Sequence, residues 1–320
     1  MQFAAAQDLH FTQLTFATPL LNPALTGAFR GDTRIGAHYR SQWWSVPVDY
    51  RTSAFRVDQR LFLPNIKMGN VSAGLFVRND QAGELAYRQF QLGLSSSYAH
   101  PIHDGGALRA GVHAVLQQTS FSTLRATFDE QWNGDFFDAS ANITESLTPN
   151  PNESWISLSA GLGYQWLTPE GRMDVGLAVF HWNRPEPQFV AGNAVVPLRY
   201  TVLATGEQFF NDRLGASAQL MGMLQAGIYE ARLGGGLLYR LRANTDAEWV
   251  LHPQFHYRIG DALLAALEVR HLAWTVGLAY DVNISDFRVA TGGRGAVELA
   301  VQYRIVKVRP PEELKVCPVF

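Results

Sequence analysis

The sequence predicts an all-β protein, a transmembrane antiparallel β-barrel of about fourteen strands, and three observations predict it. Apolar and polar residues alternate with period two over many stretches, which is the repeat of a strand whose faces meet different surroundings. Turn residues separate these stretches, and the longest links collect on one side. No run of about 18 apolar residues occurs, so no helix here is long and apolar enough to cross a membrane. The near-zero mean hydropathy is compatible with a membrane barrel, where lipid-facing and lumen-facing residues cancel.

Composition narrows the function classes. A chain of 320 residues suggests roughly two soluble domains, but single all-β barrels exceed the usual domain size. The net charge is −2 with 17% charged residues, below the usual ~25%, and this balance argues against a nucleic-acid partner. The one cysteine, Cys317, allows neither an internal disulfide nor a cysteine metal site. It is either a modifiable, partner-facing thiol or an incidental residue of the tail.

The N-terminus comes first in the element order. Ala4, Ala5 and Ala6 form a small-residue site before Gln7. Residues 1–6 therefore read as the remnant of a signal peptide, with a true start at Met1 as the alternative. Residues 7–32 read as an extended periplasmic segment, because Pro19, Asn22-Pro23 and Gly27 break any regular element over 14–28. The barrel is expected over 33–306, with strands centred near 36, 56, 75, 93, 112, 160, 176, 202, 219, 235, 254, 266, 276 and 301.

Several strands are explicit. Near residue 93, Phe90, Leu92, Leu94 and Tyr98 oppose Gln89, Gln91, Ser95 and Ser97. Near 112, Ala110, Val112, Ala114 and Leu116 oppose Arg109, Gly111, His113 and Gln117. Near 254, Trp249, Leu251, Phe255 and Tyr257 oppose His252, Gln254, His256 and Arg258. The segment at 263–269 is ambiguous, because Leu263–Leu267 is apolar on both faces and also fits a short helix. In the last strand, Val297, Leu299, Val301, Tyr303 and Ile305 oppose Glu298, Gln302 and Arg304. Pro310 and Pro311 then stop the pattern and leave a periplasmic tail over 307–320.

Period two does not say which face points inward. A soluble two-sheet sandwich buries the apolar set, whereas a membrane barrel exposes it to lipid. Fourteen strands enclose a lumen too wide for apolar side chains to fill. Aromatics near strand ends (Tyr39, Trp166, Trp182, Tyr239 and Trp274) fit interfacial girdles. The links His103–Gly106, Thr168–Gly171, Asn211–Arg213 and Arg242–Asp246 are short. Ser120–Ser154, Asn183–Pro197 and Asn283–Gly295 are long and fall on the other side. Bacterial outer-membrane barrels show this asymmetry.

The polar face is then lumen-lining, and its candidates are Arg109, Arg232, His252, His256, Arg258, Glu298 and Arg304. They form either a selective, partner-binding lumen or a paired network that stiffens the barrel. His252 and His256 stand about 13 Å apart along a strand, too far for one metal ion. No G-x-S-x-G, P-loop or H-E-x-x-H motif occurs, and nothing in the sequence places a Ser, a His and an acid together. No cofactor, metal or catalytic residue is expected.

Four pieces of sequence resemble one family. They are Gln7-Asp8-Leu9-His10-Phe11-Thr12-Gln13 with Pro19-Leu20-Leu21-Asn22-Pro23-Ala24-Leu25-Thr26-Gly27; Tyr39-Arg40-Ser41-Gln42-Trp43; Tyr280-Asp281-Val282-Asn283-Ile284-Ser285 with Gly293-Arg294-Gly295-Ala296-Val297-Glu298; and the tail Cys317-Pro318-Val319-Phe320. In order and spacing they resemble the PorP/SprF family of type IX secretion membrane proteins. Leu9 departs from the family's common Pro, and Val319 from its frequent basic residue.

The resemblance implies a non-enzymatic outer-membrane barrel of Bacteroidota-type bacteria. Such a protein binds the periplasmic secretion ring or other machinery, or holds an exported gliding adhesin or its C-terminal domain. On that reading Asn22, Pro23, Leu25, Cys317, Pro318 and Phe320 are candidate partner-binding residues, and outer-membrane lipid surrounds the wall. The alternatives are a porin-like solute transporter and a barrel-embedded hydrolase.

Overall fold

The computed structural model describes residues 11–42, 50–61, 69–83, 87–120, 131–138, 152–187, 195–241, 248–285 and 293–307. Fourteen strands follow in chain order. They are β1 Thr33–Gln42, β2 Tyr50–Leu61, β3 Asn70–Ala82, β4 Tyr87–His103, β5 Gly106–Ser120, β6 Asn152–Leu167 and β7 Gly171–Phe180. The second half is β8 Arg199–Phe209, β9 Leu214–Gln225, β10 Ile228–Arg240, β11 Trp249–Arg258, β12 Ala262–His271, β13 Trp274–Asn283 and β14 Arg294–Ile305. Each strand pairs antiparallel with its sequence neighbours, and β1 pairs with β14 to close the ring. Closure leaves no strand with an unpaired edge.

Side-chain chemistry is inverted relative to a soluble protein. Leu94, Val112, Leu162, Leu177, Leu237 and Phe255 are exposed, while Arg34, Asp58, Arg109, His252, Glu268 and Glu298 are buried. Strand β13 alternates strictly, with Thr275, Ala279 and Asp281 inward and Trp274, Leu278 and Tyr280 outward. The apolar set therefore meets lipid and the ionic set meets the lumen, which is the membrane arrangement. Tyr39, Trp166, Trp182, Tyr239 and Trp274 are all exposed. The ambiguous segment at 263–269 is strand, within β12. It reads as apolar on both faces because Leu264 points inward and is buried.

We call the end where β1 begins and β14 ends the proximal mouth. Links there are short, among them residues 104–105, 168–170 and Leu272-Ala273. The longest links, 121–151 and 181–198, lie at the distal mouth. Two distal links are nevertheless tight, residues 226–227 and 259–261. Strands β9 and β10 join through Ala226-Gly227, both at positive φ (52° and 79°), as a twist-matched two-residue hairpin requires.

Strands β10 and β11 pair at Gly236–Gln254 and Tyr239–Leu251 but not between them. Pro253 lies in that gap and has no N–H to donate.

The lumen is filled by the chain's own N-terminal segment. Leu14–Phe16 and Pro23–Leu25 form 3-10 turns, and Thr18–Leu21 forms a single helical turn, α1. Phe11, Leu14, Ala17, Leu21, Leu25 and Ala28 pack together with the inward Leu203 of β8 and Met221 of β9. The expected extended segment over 7–32 is thus corrected for its described part. Pro19 and Pro23 do break regular structure, but into turns that fold the apolar side chains onto a lumen wall. Residues 1–10 and 308–320, with Cys317, Pro318 and Phe320, lie outside the described residues.

Candidate functional site

The site is the seat that the wall builds for this plug. Its chemistry follows from the plug's sequence. An irregular backbone inside a barrel leaves carbonyls and N–H groups without ladder partners, and each must be satisfied. The wall supplies arginines for the carbonyls and carboxylates for the N–H groups.

At the plug's leading end, Glu298 of β14 is fully buried and accepts the backbone N–H of Thr12 at 2.6 Å and of Gln13 at 3.0 Å. Arg40 of β1 pairs with the same carboxylate, and His38 Nε2 lies 3.1 Å from it. The Thr12 hydroxyl donates to Asp281 at 2.9 Å, and Arg258 holds Asp281 at 2.8 Å. Arg232 of β10 donates to the carbonyl of Thr12. Phe11 stacks on His38 with ring centres 4.1 Å apart.

At the trailing end, Arg109 of β5 donates to the carbonyls of Ala24 at 2.7 Å and Thr26 at 2.6 Å. Arg60 binds the carbonyls of Gly27 and Phe29, and Arg172 binds that of Ala28 at 2.5 Å. Asp58 accepts the Gly27 N–H at 2.8 Å and is itself held by Arg34. Charge-assisted bonds of this kind are roughly twice as strong as neutral ones.

Between the ends, the plug reaches the wall itself. Asn22 is 1% exposed. Its amide donates to the carbonyls of Leu162 on β6 and Leu177 on β7, at 3.0 and 3.2 Å, while its oxygen caps Ala24 at 2.9 Å. This approach needs glycine in the wall. A Cβ on Gly161 would fall 2.0 Å from Asn22 Oδ1, one on Gly176 2.3 Å from its Nδ2, and one on Gly111 2.4 Å from the Pro23 carbonyl carbon.

Asn22 and Leu25, expected to face a partner, are therefore buried against their own barrel, and Pro23 is buried with them. Of the lumen candidates, Arg109, Arg232 and Glu298 grip the plug, while Arg258 braces Asp281. His256 lies 3.3 Å from Gln254. Arg304 lines the lumen near the proximal mouth, and its buried Nε has no hydrogen-bond partner. Arg40, Asp58, Arg60, Arg172 and Asp281 join Arg109, Arg232 and Glu298 in the seat. Arg40 and Asp281 lie in the short pieces of sequence that resemble one family. Those pieces, scattered from Thr12 to Glu298, meet at one node.

The structure also brings together a Ser, a His and an acid, which the sequence does not place. Ser217 Oγ lies 2.7 Å from His252 Nε2, across the side-chain gap that Gly236 leaves in β10. His252 Nδ1 is 3.8 Å from Glu268, but Arg270 holds that carboxylate at 2.5 Å and the Gln254 amide sits 3.3 Å from Nδ1. Arg270 already occupies the acid that would orient the base. The arrangement is a cross-strand hydrogen-bond network. No group of three metal-ligating side chains forms among the described residues.

Solved structures share the fold. The Ralstonia pickettii toluene transporter TbuX matches with a TM-score of 0.52 and 15% identity, over 91% of this chain and 94% of that one. The monoaromatic hydrocarbon channel CymD matches with a TM-score of 0.50 and 11% identity, over 95% of each chain. The Pseudomonas putida toluene transporter TodX matches with a TM-score of 0.50 and 9% identity, over 93% and 95%. No curated protein sequence matches the chain. One family model does, over residues 3–303, nearly the whole length. With its closed wall and inverted faces, the chain is an outer-membrane barrel that belongs to the type IX secretion system membrane protein PorP/SprF family.

Proposed function

We propose that this barrel works by binding, as a plugged, non-catalytic docking element of the type IX system. The proximal mouth faces the periplasm. There the tail that begins at Lys307, with Cys317, Pro318 and Phe320, contacts the secretion ring or other machinery. The long distal links contact an exported adhesin or its C-terminal domain. The observation that carries this reading is the plug: a lumen packed with the chain's own residues, held at both ends by buried ionic groups, favours a scaffold over an open pore. Affinity purification from native membranes tests it. Machinery proteins should co-purify with the full chain and be lost when Pro310–Phe320 is deleted. Undiminished recovery from the truncated, membrane-assembled barrel refutes the role of the tail.

A second reading has support in the likeness to hydrocarbon transporters. There the plug is a hatch and the barrel passes small solutes. Solute uptake by the intact protein in reconstituted vesicles, with the plug in place, would favour that reading.

A further inference from the structure

The proximal mouth holds a cavity that the plug does not fill. It has a volume of about 280 Å³, and Arg30, Arg172, Arg240, Arg270 and Arg304 are among its lining residues. Arg172, Glu207, Arg270 and Arg304 also line a deeper cavity of about 100 Å³ beside the plug, so the two adjoin across these side chains.

The charges of this vestibule are mostly spoken for. Arg172 pairs with Asp174, Arg240 with Glu248 at 2.7 Å, and Arg270 sits between Glu207 at 2.7 Å and Glu268 at 2.5 Å. Arg34, the ladder partner of Arg304, is held by Asp58. Arg30 donates to the carbonyls of Thr168, Pro169 and Gly171 and pairs with no acid among the described residues. Arg304 is the exception. Its guanidinium makes no direct ion pair or hydrogen bond among the described residues, feels Glu207 and Glu268 only at longer range, and its Nε is shielded from solvent. Glu170 stands exposed on the rim turn. A partly buried cation without a directly bonded acid is costly, and an incoming anion that bonds it relieves that cost.

We propose that this vestibule receives an acidic side chain on a peptide segment of a partner protein, with Arg304 as the carboxylate-binding residue. The proposal rests on the docking reading above and gives its proximal contact a chemistry. A guanidinium fork matches a carboxylate in two parallel hydrogen bonds. A peptide fits better than a free anion for a reason internal to this barrel. Its lumen arginines already bind peptide carbonyls along the plug, and the deeper cavity runs beside Leu14, Thr15 and Thr18, with Thr205 and Gln302 also in its wall. A chain entering here would meet a guanidinium with no directly bonded acid and then further polar side chains.

The test uses the full-length barrel in detergent micelles and two fluorescent Gly-Ser peptides, one rich in Asp and the other with Asn in its place. Fluorescence anisotropy at low salt should show binding of the Asp peptide alone. Arg304→Gln should weaken that binding about tenfold or more, and Arg304→Lys should weaken it less. Arg184→Gln, on the distal side, should leave it unchanged. Heat-modifiable gel mobility checks that each variant is folded. Equal binding of both peptides, an unaffected Arg304→Gln barrel, or displacement by acetate or phosphate at the peptide's own concentration overturns the proposal. The docking reading is judged separately. Machinery proteins captured from native membranes uphold it even if the peptide result is negative, and their absence sinks it even if the Asp peptide binds.

Discussion

Gly161 decides whether the plug can seat. A side chain there would run into Asn22, which cannot swing aside because its amide is held by two wall carbonyls and its oxygen caps Ala24. Overpacking of this kind costs about 1–3 kcal/mol. Gly161→Val should therefore leave the barrel folded but loosen the plug. In a Cys317→Ser background carrying Leu25→Cys, maleimide labelling should speed up roughly ten- to hundredfold. An unchanged rate means that the plug does not depend on this seat. The inward direction of Arg109, Arg232 and Glu298 was legible in the sequence, since a charge on the lipid face is expensive and the alternation fixes which face it takes. Their partners were not legible. Period two gives direction but not distance, and the meeting of Arg40, Asp281 and Glu298 exists only because β1 closes onto β14. The Ser217–His252 bond was hidden for a similar reason, since it crosses an intervening strand.

At the scale of elements, the strands were the legible part, and all fourteen expected centres fall within strands of the wall. The fold of the N-terminal segment is legible not from its breakers, Pro19, Pro23 and Gly27, but from its charge pattern. No charged residue occurs between Phe11 and Phe29, while Phe11, Leu14, Phe16, Leu20, Leu21, Leu25 and Phe29 recur through it. Such a stretch has no reason to stay extended in water. It needs an apolar surface, and Leu203 and Met221 provide one inside the wall. Deleting residues 11–29 should leave an assembled barrel, because the ladder that closes it involves none of them. It should also expose Asp58, Glu298 and the plug-binding arginines to water. Planar-bilayer recordings should then show stable ion conductance absent from the full chain. Equal conductance from both proteins would remove the plug from the argument.

For the molecule as a whole, everything depends on the inverted faces. Leu162 lies in mid-strand on β6, 65% exposed, paired with Leu177 on β7 and diagonal to Val112 on β5, both exposed as well. In a water-soluble barrel an arginine at so open a position would be nearly neutral, since exposed substitutions usually stay within about 0.5 kcal/mol. In a lipid-facing wall it costs roughly 2–4 kcal/mol near the midplane. Leu162→Arg should accordingly lower folding stability in phospholipid vesicles by that amount. Leu162→Ala should cost much less, because a small apolar side chain at this position still faces lipid. The same pair in detergent micelles, where the charged head can reach water more easily, should differ less than in vesicles. Equal stability of the Arg and Ala variants in vesicles would mean that this face is not in lipid.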